Sequence, residues 1–193
     1  ASLRRRWEYF RLLYPCQAVL VTSKAGGKRD IMVSSALPVS FKPPLLAVSI
    51  APTRYSCELI KQSGEFVVNI PSINMMDKVL RCGATTGRKI DKFKDLALTP
   101  ARAKIVNAPI IDECIAHIEC NVDKEIEAGD HILILGRVLD AYAEVELLTI
   151  NEEGIPLWNL EKAEVLLYIG GRTFTVAKQT FRSSAPYSFF KAD

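Results

Sequence analysis

The chain has 193 residues, with 25 Lys and Arg against 22 Asp and Glu, for a formal net charge of +3. This length fits one domain with a substantial core, and so small a net charge does not indicate nucleic-acid binding. No apolar run approaches the roughly 18 residues of a membrane-spanning helix, and no signal-peptide pattern is present. We therefore expect a cytoplasmic protein that binds neither nucleic acid nor membrane.

The five cysteines are odd in number and include no CxxC pair, so we expect reduced, mostly buried thiols. Cys114 and His117 lie three residues apart in an alternating segment, which places them on opposite faces of a strand. No metal site is expected.

The first segments read as a helix and a hairpin. Apolar residues from Leu3 to Tyr14 follow the helical period, with Ser2 as N-cap and Pro15 as stop. Two β-rich runs, 17–23 and 31–39, follow and are joined by a turn that contains Gly26 and Gly27.

The next segments alternate between strand and helix. Leu45–Ile50 is almost wholly apolar and predicts a central strand buried on both faces. Arg54–Ser63 predicts a helix that ends at Gly64, and Phe66–Ile70 predicts another strand. Met75–Cys82 predicts a short helix closed by Gly83.

The second half of the chain is mostly β. Residues 114–123 alternate between an apolar face and a polar face that includes His117, which we expect to be exposed. Strands are also predicted at His131–Val138, with a bulge at Gly136, and on both sides of Gly170 and Gly171. Six or seven strands with few long helices indicate a mainly β fold, a closed or nearly closed β-barrel with helical insertions.

The C-terminal segment, residues 177–193, has aromatic side chains without a strand or helix period: Phe181, Tyr187, Phe189 and Phe190. We interpret residues 1–176 as the domain and residues 177–193 as an arm. The arm packs either on its own barrel or, as we favour, on the other subunit of a dimer.

The loop after the third predicted helix carries the strongest chemical signal. Between Arg81 and Ile90 there are three cations, two threonines, two glycines and no acidic residue. Such a segment suits a phosphate ester, although a solvated basic loop has the same composition. The Rossmann fingerprint, the P-loop and the G-x-S-x-G elbow are all absent.

Two other segments are candidates for the same ligand site. The strand 31–40 breaks into small polar residues that would let a flat ring lie close to the backbone. The strand that ends at Ser49 and Ile50 leads directly into a helix start with Arg54 in its first turn, which is a second anion-ready position.

These segments together resemble the flavin-reductase-like, FMN-binding split-barrel family, especially its flavoredoxin-type branch. The resemblance extends from about Tyr9 to Val176 and depends on the order and spacing of several motifs. These are Met32–Ser35, Ala47–Ser56, Gly64–Pro71, Arg81–Gly83, Gly87–Phe93, Gly129–His131 and Leu167–Arg172.

The resemblance implies an FMN-binding split barrel that forms a homodimer with one FMN per subunit. Residues along the flavin ring would be Met32, Val33, Ser34, Ser35, Ala36 and Leu37. The ribityl phosphate end would be held by Ser49, Ile50 and Arg54. The same pocket would be lined by Cys82, Gly83, Lys89, Asp91 and Lys92, while His131 would face the nicotinamide.

Each of these residues also has a simpler structural interpretation. Lys89 and Lys92 have the character of solvated loop charges, and Asp91 of the N-cap of a short helix. His131 has a neighbouring hydrogen-bond partner in Asp130. Cys82 raises the question of thiol chemistry, although a cysteine beside glycine at a helix end is usually a small packing residue.

The resemblance implies an oxidoreductase that takes hydride from NADH or NADPH onto FMN and passes electrons to free flavin or to another small-molecule or protein acceptor. The alternative is a flavoredoxin-like electron carrier without its own nicotinamide site. A third reading is a module for another phosphate ligand, such as pyridoxal phosphate. Ile31 and Ala36 stand where the family often has Asn and a larger residue, which bears on redox tuning more than on FMN binding.

Overall fold

The computed structural model describes residues 6–183. Its helices are an N-terminal 3-10 helix (Arg6–Leu13), α1 (Tyr55–Ser63), a second 3-10 turn (Ile73–Met75), α2 (Met76–Ala84), α3 (Lys92–Asp95) and a third 3-10 turn (Val145–Leu147). Its strands are β1 (Cys16–Gln17), β2 (Val19–Ala25), β3 (Lys28–Ser34), β4 (Ala36–Phe41), β5 (Pro44–Ile50), β6 (Glu65–Ile70), β7 (Pro100–Ala101), β8 (Ile110–Ile111), β9 (Ala116–Ala128), β10 (His131–Ala143), β11 (Leu148–Ile150), β12 (Pro156–Trp158), β13 (Leu167–Gly170) and β14 (Thr173–Thr175).

A seven-stranded sheet forms the body of the fold, in the order β3-β2-β6-β9-β10-β5-β4. Strands β3 and β4 are consecutive in the chain yet form the two edges, so the sheet does not close. The predicted mainly β fold is confirmed, and the open seam between β3 and β4 makes it a split barrel. Strands β1, β13 and β14 form a separate small sheet.

The strand pairings match the hairpin turn and the bulge predicted from the sequence. Strands β2 and β3 pair from Val19↔Ser34 to Ala25↔Lys28, and Gly26 and Gly27 adopt φ values of 54° and 77° in the turn. The pairing of β9 with β10 shifts register between Leu135 and Gly136, which confirms the predicted bulge. A Cβ at Gly136 would collide with the ring of Phe66, so the bulge needs glycine there.

The core has two main layers, one on each side of the sheet. Inside the barrel lie Val19, Val21, Val48, Phe66, Val68 and Ile134, all fully buried. Outside, β2 and β3 pack against α2 and α3 through Leu20, Ile31, Val79, Phe93 and Leu96. The predicted interior strand 45–50 is β5, which is paired on both sides, although its Ser49 is exposed.

The helix boundaries in the structure differ in part from those predicted from the sequence. Helix α1 ends at Gly64 as expected, with φ of 70° and its N–H bonded to Ile60 O at 2.7 Å. Gly83, however, does not close α2; the helix continues through it to Ala84. The N-terminal helix is of the 3-10 type, and the proposed cap Ser2 lies outside the described residues.

The polar face predicted for residues 114–123 is exposed at Asn121 and Asp123, but the prediction is wrong at His117 and Glu119, which are both buried. The His117 ring nitrogen Nδ1 lies 2.9 Å from Asn69 Oδ1, and burial lowers the pKa of His117. Glu119 accepts backbone hydrogen bonds from Lys104, Ile105 and Val106 at 2.7–3.0 Å. Glu119 therefore anchors the loop at residues 104–106, and His117 bonds to Asn69 of the neighbouring strand β6.

Of the arm predicted for residues 177–193, only residues 177–183 are described. They form neither helix nor strand, and Arg182 bonds to Glu152 and Glu153. Tyr187, Phe189 and Phe190 lie outside the described residues.

All five cysteines are free thiols. No helix within residues 6–183 is long and apolar enough to cross a membrane, and these residues bring together no cluster of three metal-ligating side chains.

We expect Glu119→Ala to lower the free energy of unfolding by about 3 kcal/mol or more, because three backbone N–H groups, that of Val106 buried, lose their acceptor. Glu125→Ala is the control, since it removes only a half-exposed ion pair with Lys61 and should cost at most about 1 kcal/mol. Urea denaturation measures both. Equal losses would contradict the anchoring role of Glu119.

The same carboxylate predicts a pH dependence. Burial alone would raise the pKa of Glu119, but the three backbone donors and the Tyr142 hydroxyl lower it overall. A lowered pKa in the folded state gives stability at neutral pH that disappears as the pH falls through that pKa. The stability gap between wild type and Glu119→Gln should therefore be widest near neutral pH and narrow in acid, as measured by urea denaturation at each pH.

Candidate functional site

A large cleft opens near the seam between β3 and β4, where β3 approaches β5. This main cleft has a volume of about 690 Å³ and is lined by Phe10, Tyr14, Ala18, Val33, Ser34, Ser35, Ser49, Val79, Leu80, Gly83, Ala84, His131, Tyr168 and Phe174. Apolar walls with a few polar groups at the edges are typical of small-ligand sites.

The polar edge of the main cleft comes from the point where β3 ends and β4 begins. The Ser34 hydroxyl donates to Ser49 O at 3.3 Å, which ties β3 to β5 across the open seam. Ser35, between the two strands, has its hydroxyl 3.3 Å from the Cys16 sulfur. Small side chains at these positions leave backbone groups near the cleft surface.

Four aromatic rings form one wall of the main cleft. Phe10 and Tyr14 are 5.8 Å apart, Tyr14 and Tyr168 are 5.3 Å apart, and Tyr168 and Phe174 are 5.3 Å apart, measured between ring centroids. This wall is not predictable from the sequence, because its two halves come from opposite ends of the chain. The only available signal was the helical spacing of Phe10 and Tyr14, which does not identify their partners.

A smaller pocket of about 160 Å³ adjoins the main cleft and shares Val33 and Gly83 with it. The side chains of Thr53, Arg54, Thr85 and Thr86 line it, at the start of α1 and the end of α2. Arg54 is the N-cap of α1, and no side chain caps that end, so the first backbone N–H groups of the helix remain available. Hydroxyls, a guanidinium and a helix N-terminus form a donor set for a phosphate.

A buried ion pair supports the small pocket. Lys92 Nζ lies 3.3 Å from Asp30 Oδ1 and donates to Ile31 O at 2.5 Å, and both side chains are at most 4% exposed. Asp30 Oδ2 accepts from the Ser56 hydroxyl at 2.7 Å, whereas Oδ1 has no hydrogen bond beyond its ionic contact with Lys92. A Cβ at Gly87 would collide with Asp30, so the loop after α2 needs glycine to lie against this pair.

The loop after α2 faces a third depression on its other side. This basic cleft has a volume of about 810 Å³ and is lined by Lys24, Gly27, Lys28, Arg29, Tyr55, Glu58, Gly87, Arg88, Lys89, Ile90, Asp91 and Lys94. Tyr55 lines both the basic cleft and the small pocket.

The structure divides the expected site residues among these three places. The main cleft contains Val33, Ser34, Ser35, Ser49, Gly83 and His131. The small pocket contains Met32, Arg54, Cys82 and Lys92, together with the shared Val33 and Gly83. The basic cleft contains Lys89 and Asp91.

For five of the expected site residues, the side chain lies outside the main cleft and the small pocket. Lys89 faces the basic cleft, and Asp91 is the N-cap of α3, accepting from the N–H groups of Phe93 and Lys94. The side chain of Ile50 is buried in the barrel core, that of Ala36 packs against the core, and that of Leu37 is 65% exposed. None of these three side chains lines any of the three depressions.

Lys92 and Cys82 have structural environments that limit their chemistry. The charge of Lys92 is already balanced by Asp30, so Arg54 is the unbalanced cation of the small pocket within the described chain. Burial raises the pKa of the Cys82 thiol to about 12, and the thiol donates to Ile31 O. A thiol so far from ionisation is not a nucleophile at neutral pH.

His131 lies at the rim of the main cleft at the start of β10. Its Nδ1 is 2.7 Å from Asp130 Oδ1, and the hydrogen bond to His131 lowers the pKa of that carboxyl group. The pairing with Asp130 fixes the orientation of the imidazole, and the cleft position is compatible with contact to a ligand.

Residues 10–176 match the family model of the flavin reductase like domain. The chain therefore belongs to the flavin reductase like family. An uncharacterized protein from Archaeoglobus fulgidus is 41% identical over 127 residues, which are 66% of this chain and 72% of that protein.

Solved structures show the same fold. A flavoredoxin from Methanosarcina acetivorans superposes with a TM-score of 0.81 at 25% identity, covering 95% of each chain. An FMN-binding protein from Thermus thermophilus, crystallised with 1-cyclohex-2-enone, gives a TM-score of 0.78 at 26% identity over 95% of this chain and 96% of that chain. These similarities support a flavin cofactor for the family to which this chain belongs.

We expect Lys92→Met to lower the free energy of unfolding by about 3–5 kcal/mol, because it leaves Asp30 charged and unpaired in the interior. The double variant Asp30→Asn with Lys92→Met should be less destabilised than Lys92→Met alone, since neither charge remains buried. Chemical denaturation of the wild type, the two single variants Lys92→Met and Asp30→Asn, and the double variant measures this coupling. Additive losses would show that the two residues do not form an energetic pair.

Proposed function

We propose that the main cleft and the small pocket together bind FMN, with the flavin ring in the former and the phosphate in the latter. The observation that carries this proposal is their junction at Val33 and Gly83, which connects a ring-sized apolar cleft to a phosphate-sized donor pocket. A flat ring needs apolar area with polar groups at its edge, and a phosphate ester needs converging donors. The apolar cleft and the donor pocket are adjacent, as the ring and the phosphate-bearing ribityl chain are in FMN.

In this proposal, the residues of the chain position and shield the cofactor. Arg54 and the first N–H groups of α1 hold the phosphate, with hydroxyls from Thr53, Thr85 and Thr86. The backbone around Ser34 and Ser35 hydrogen-bonds the edge of the ring. The aromatic wall excludes water from one side. Bound FMN would supply reversible hydride and electron transfer, which none of these side chains supplies.

We further propose that the protein is a reductase that takes hydride from NADH or NADPH and passes electrons to free flavin or to another small-molecule or protein acceptor. His131 supports this reading, because its position at the cleft rim suits contact with a nicotinamide. The alternative is an electron carrier without a nicotinamide site, and the similarity to the flavoredoxin from Methanosarcina acetivorans favours it.

We also propose a cytoplasmic homodimer. Leu37, Val39 and Phe41 are exposed at alternate positions of β4, which is an edge strand of the main sheet. An exposed apolar edge strand usually needs a cover, and a second copy of the chain would provide one.

Sedimentation analysis of Leu37→Glu with Val39→Glu should show monomers where the wild type is dimeric; unchanged sedimentation would contradict this interface.

The absorbance spectrum of the FMN-loaded protein before and after anaerobic NADH and NADPH tests the function. Prompt bleaching by either nicotinamide is the result expected of a reductase. Bleaching by dithionite alone would indicate the electron carrier. Failure to retain FMN at all would overturn both.

We expect Arg54→Ala to weaken FMN binding by about tenfold to a hundredfold, because it removes a charge-assisted hydrogen bond worth about 1.5–3 kcal/mol. Lys162→Ala removes one positive charge from an exposed turn and is the matched control. Quenching of flavin fluorescence gives both dissociation constants. Equal affinities for the two variants would place the phosphate away from Arg54.

A further inference from the structure

The basic cleft is unused by the proposed FMN site, yet it concentrates positive charge. Six cations line it, against two carboxylates, Glu58 and Asp91; the cations are Lys24, Lys28, Arg29, Arg88, Lys89 and Lys94. The charge is uneven along the whole chain as well. Residues 1–110 contain 18 Lys and Arg against 7 Asp and Glu, whereas residues 111–193 contain 7 against 15.

Two guanidinium groups in this cleft lie over aromatic rings. Arg29 lies 4.6 Å above the ring of Phe93 and is hydrogen-bonded to Asp91. Arg88 lies 5.0 Å from the ring centroid of Tyr55 and forms a 2.7 Å ion pair with Glu58. The two carboxylates are thus used to fix the arginines. Each arginine side chain remains about one-third to one-half exposed, so its second face is accessible for stacking.

The lysines of the basic cleft differ from the arginines in having no carboxylate partner among the described residues. Within residues 6–183, the amines of Lys24, Lys28, Lys89 and Lys94 have no acidic group within ion-pair distance. Four amines that converge on one concave surface repel one another, and a bound anion with several negative charges would relieve that repulsion.

We propose that the basic cleft binds the phosphorylated adenosine end of a coenzyme. Guanidinium groups held by ion pairs and aromatic rings suit stacking on a purine, and amines without an acidic partner suit a phosphate monoester. The volume of about 810 Å³ lies within the usual range of small-ligand sites. A nucleic-acid strand fits less well, because among residues 6–183 Tyr55 is the one aromatic residue that lines the cleft, and it is buried.

The location of the cleft connects it with the flavin site. Tyr55 lines both the basic cleft and the small pocket, so the two share a boundary on either side of the loop after α2. A dinucleotide held by its adenosine end would extend past this loop towards the main cleft. If the proposed reductase function is correct, an additional phosphate on the adenosine ribose would make NADPH the preferred donor.

Isothermal titration calorimetry of the FMN-loaded protein tests the site without any measurement of activity. The probes are 2′,5′-ADP, 3′,5′-ADP, 5′-ADP, AMP and inorganic phosphate, at about 0.15 M salt so that weak surface attraction is screened. We expect at least one of the three diphosphorylated adenosines to bind about tenfold or more tightly than AMP or phosphate. The tightest probe names the source: 2′,5′-ADP for NADPH, 3′,5′-ADP for coenzyme A, and 5′-ADP for a dinucleotide without the extra phosphate.

Charge reversal locates the binding. Lys28→Glu with Lys89→Glu should weaken the tightest probe by at least about tenfold, while FMN binding stays unchanged and shows that the fold is intact. Lys162→Glu with Lys178→Glu changes the net charge equally at exposed positions outside the basic cleft and should have little effect. Equal weakening by both pairs would overturn the proposal, since the attraction would then depend on net charge alone.

Two other results would also overturn it. One is the absence of any preference for the adenosine diphosphates over inorganic phosphate. The other is tighter binding of duplex RNA or of poly-glutamate, lost in the Lys28→Glu, Lys89→Glu protein, which would make the cleft a macromolecular surface. Because the calorimetry needs no nicotinamide oxidation, its failure is distinguishable from failure of the reductase proposal.

Discussion

The buried pair between Asp30 and Lys92 holds together the elements that surround the candidate site. Asp30 is on β3, Lys92 begins α3, and Ser56, which donates to Asp30, is in the first turn of α1. Gly87 brings the intervening loop against the same carboxylate. One ion pair therefore fixes the relative positions of three elements and one loop, and the small pocket is the space that they leave.

The fold was largely predictable because it depends on local patterns. The glycine turn between β2 and β3, the apolar run of β5 and the bulge at Gly136 are all visible in the sequence and confirmed in the structure. From the sequence, His117 and Glu119 are expected on a solvent-exposed face of their strand. Alternation of polar and apolar residues does not show whether other parts of the chain cover the polar face. Their partners, Asn69 and the backbone of residues 104–106, are distant in sequence.

The candidate site was predictable in part. Two segments that were expected at the ligand site do line it. Val33–Ser35 lines the main cleft, and the start of α1 at Arg54 lines the small pocket. The resemblance places Lys89 in the FMN pocket, whereas in the structure it lines the basic cleft. The aromatic wall was missed because Tyr14 and Tyr168 meet only through tertiary packing. Pairing of cations with distant acids, as in Lys92 with Asp30, likewise requires the folded structure.

If the ring cleft and the phosphate pocket bind one flavin together, the phosphate must contribute to the affinity. Parallel fluorescence titrations with FMN and riboflavin test it most directly, because the two ligands share the ring and ribityl chain and differ in the phosphate. Our account predicts that FMN binds at least about tenfold more tightly, since charge-assisted hydrogen bonds to the phosphate contribute about 1.5–3 kcal/mol. Equal affinities, or no binding of either flavin, would contradict it.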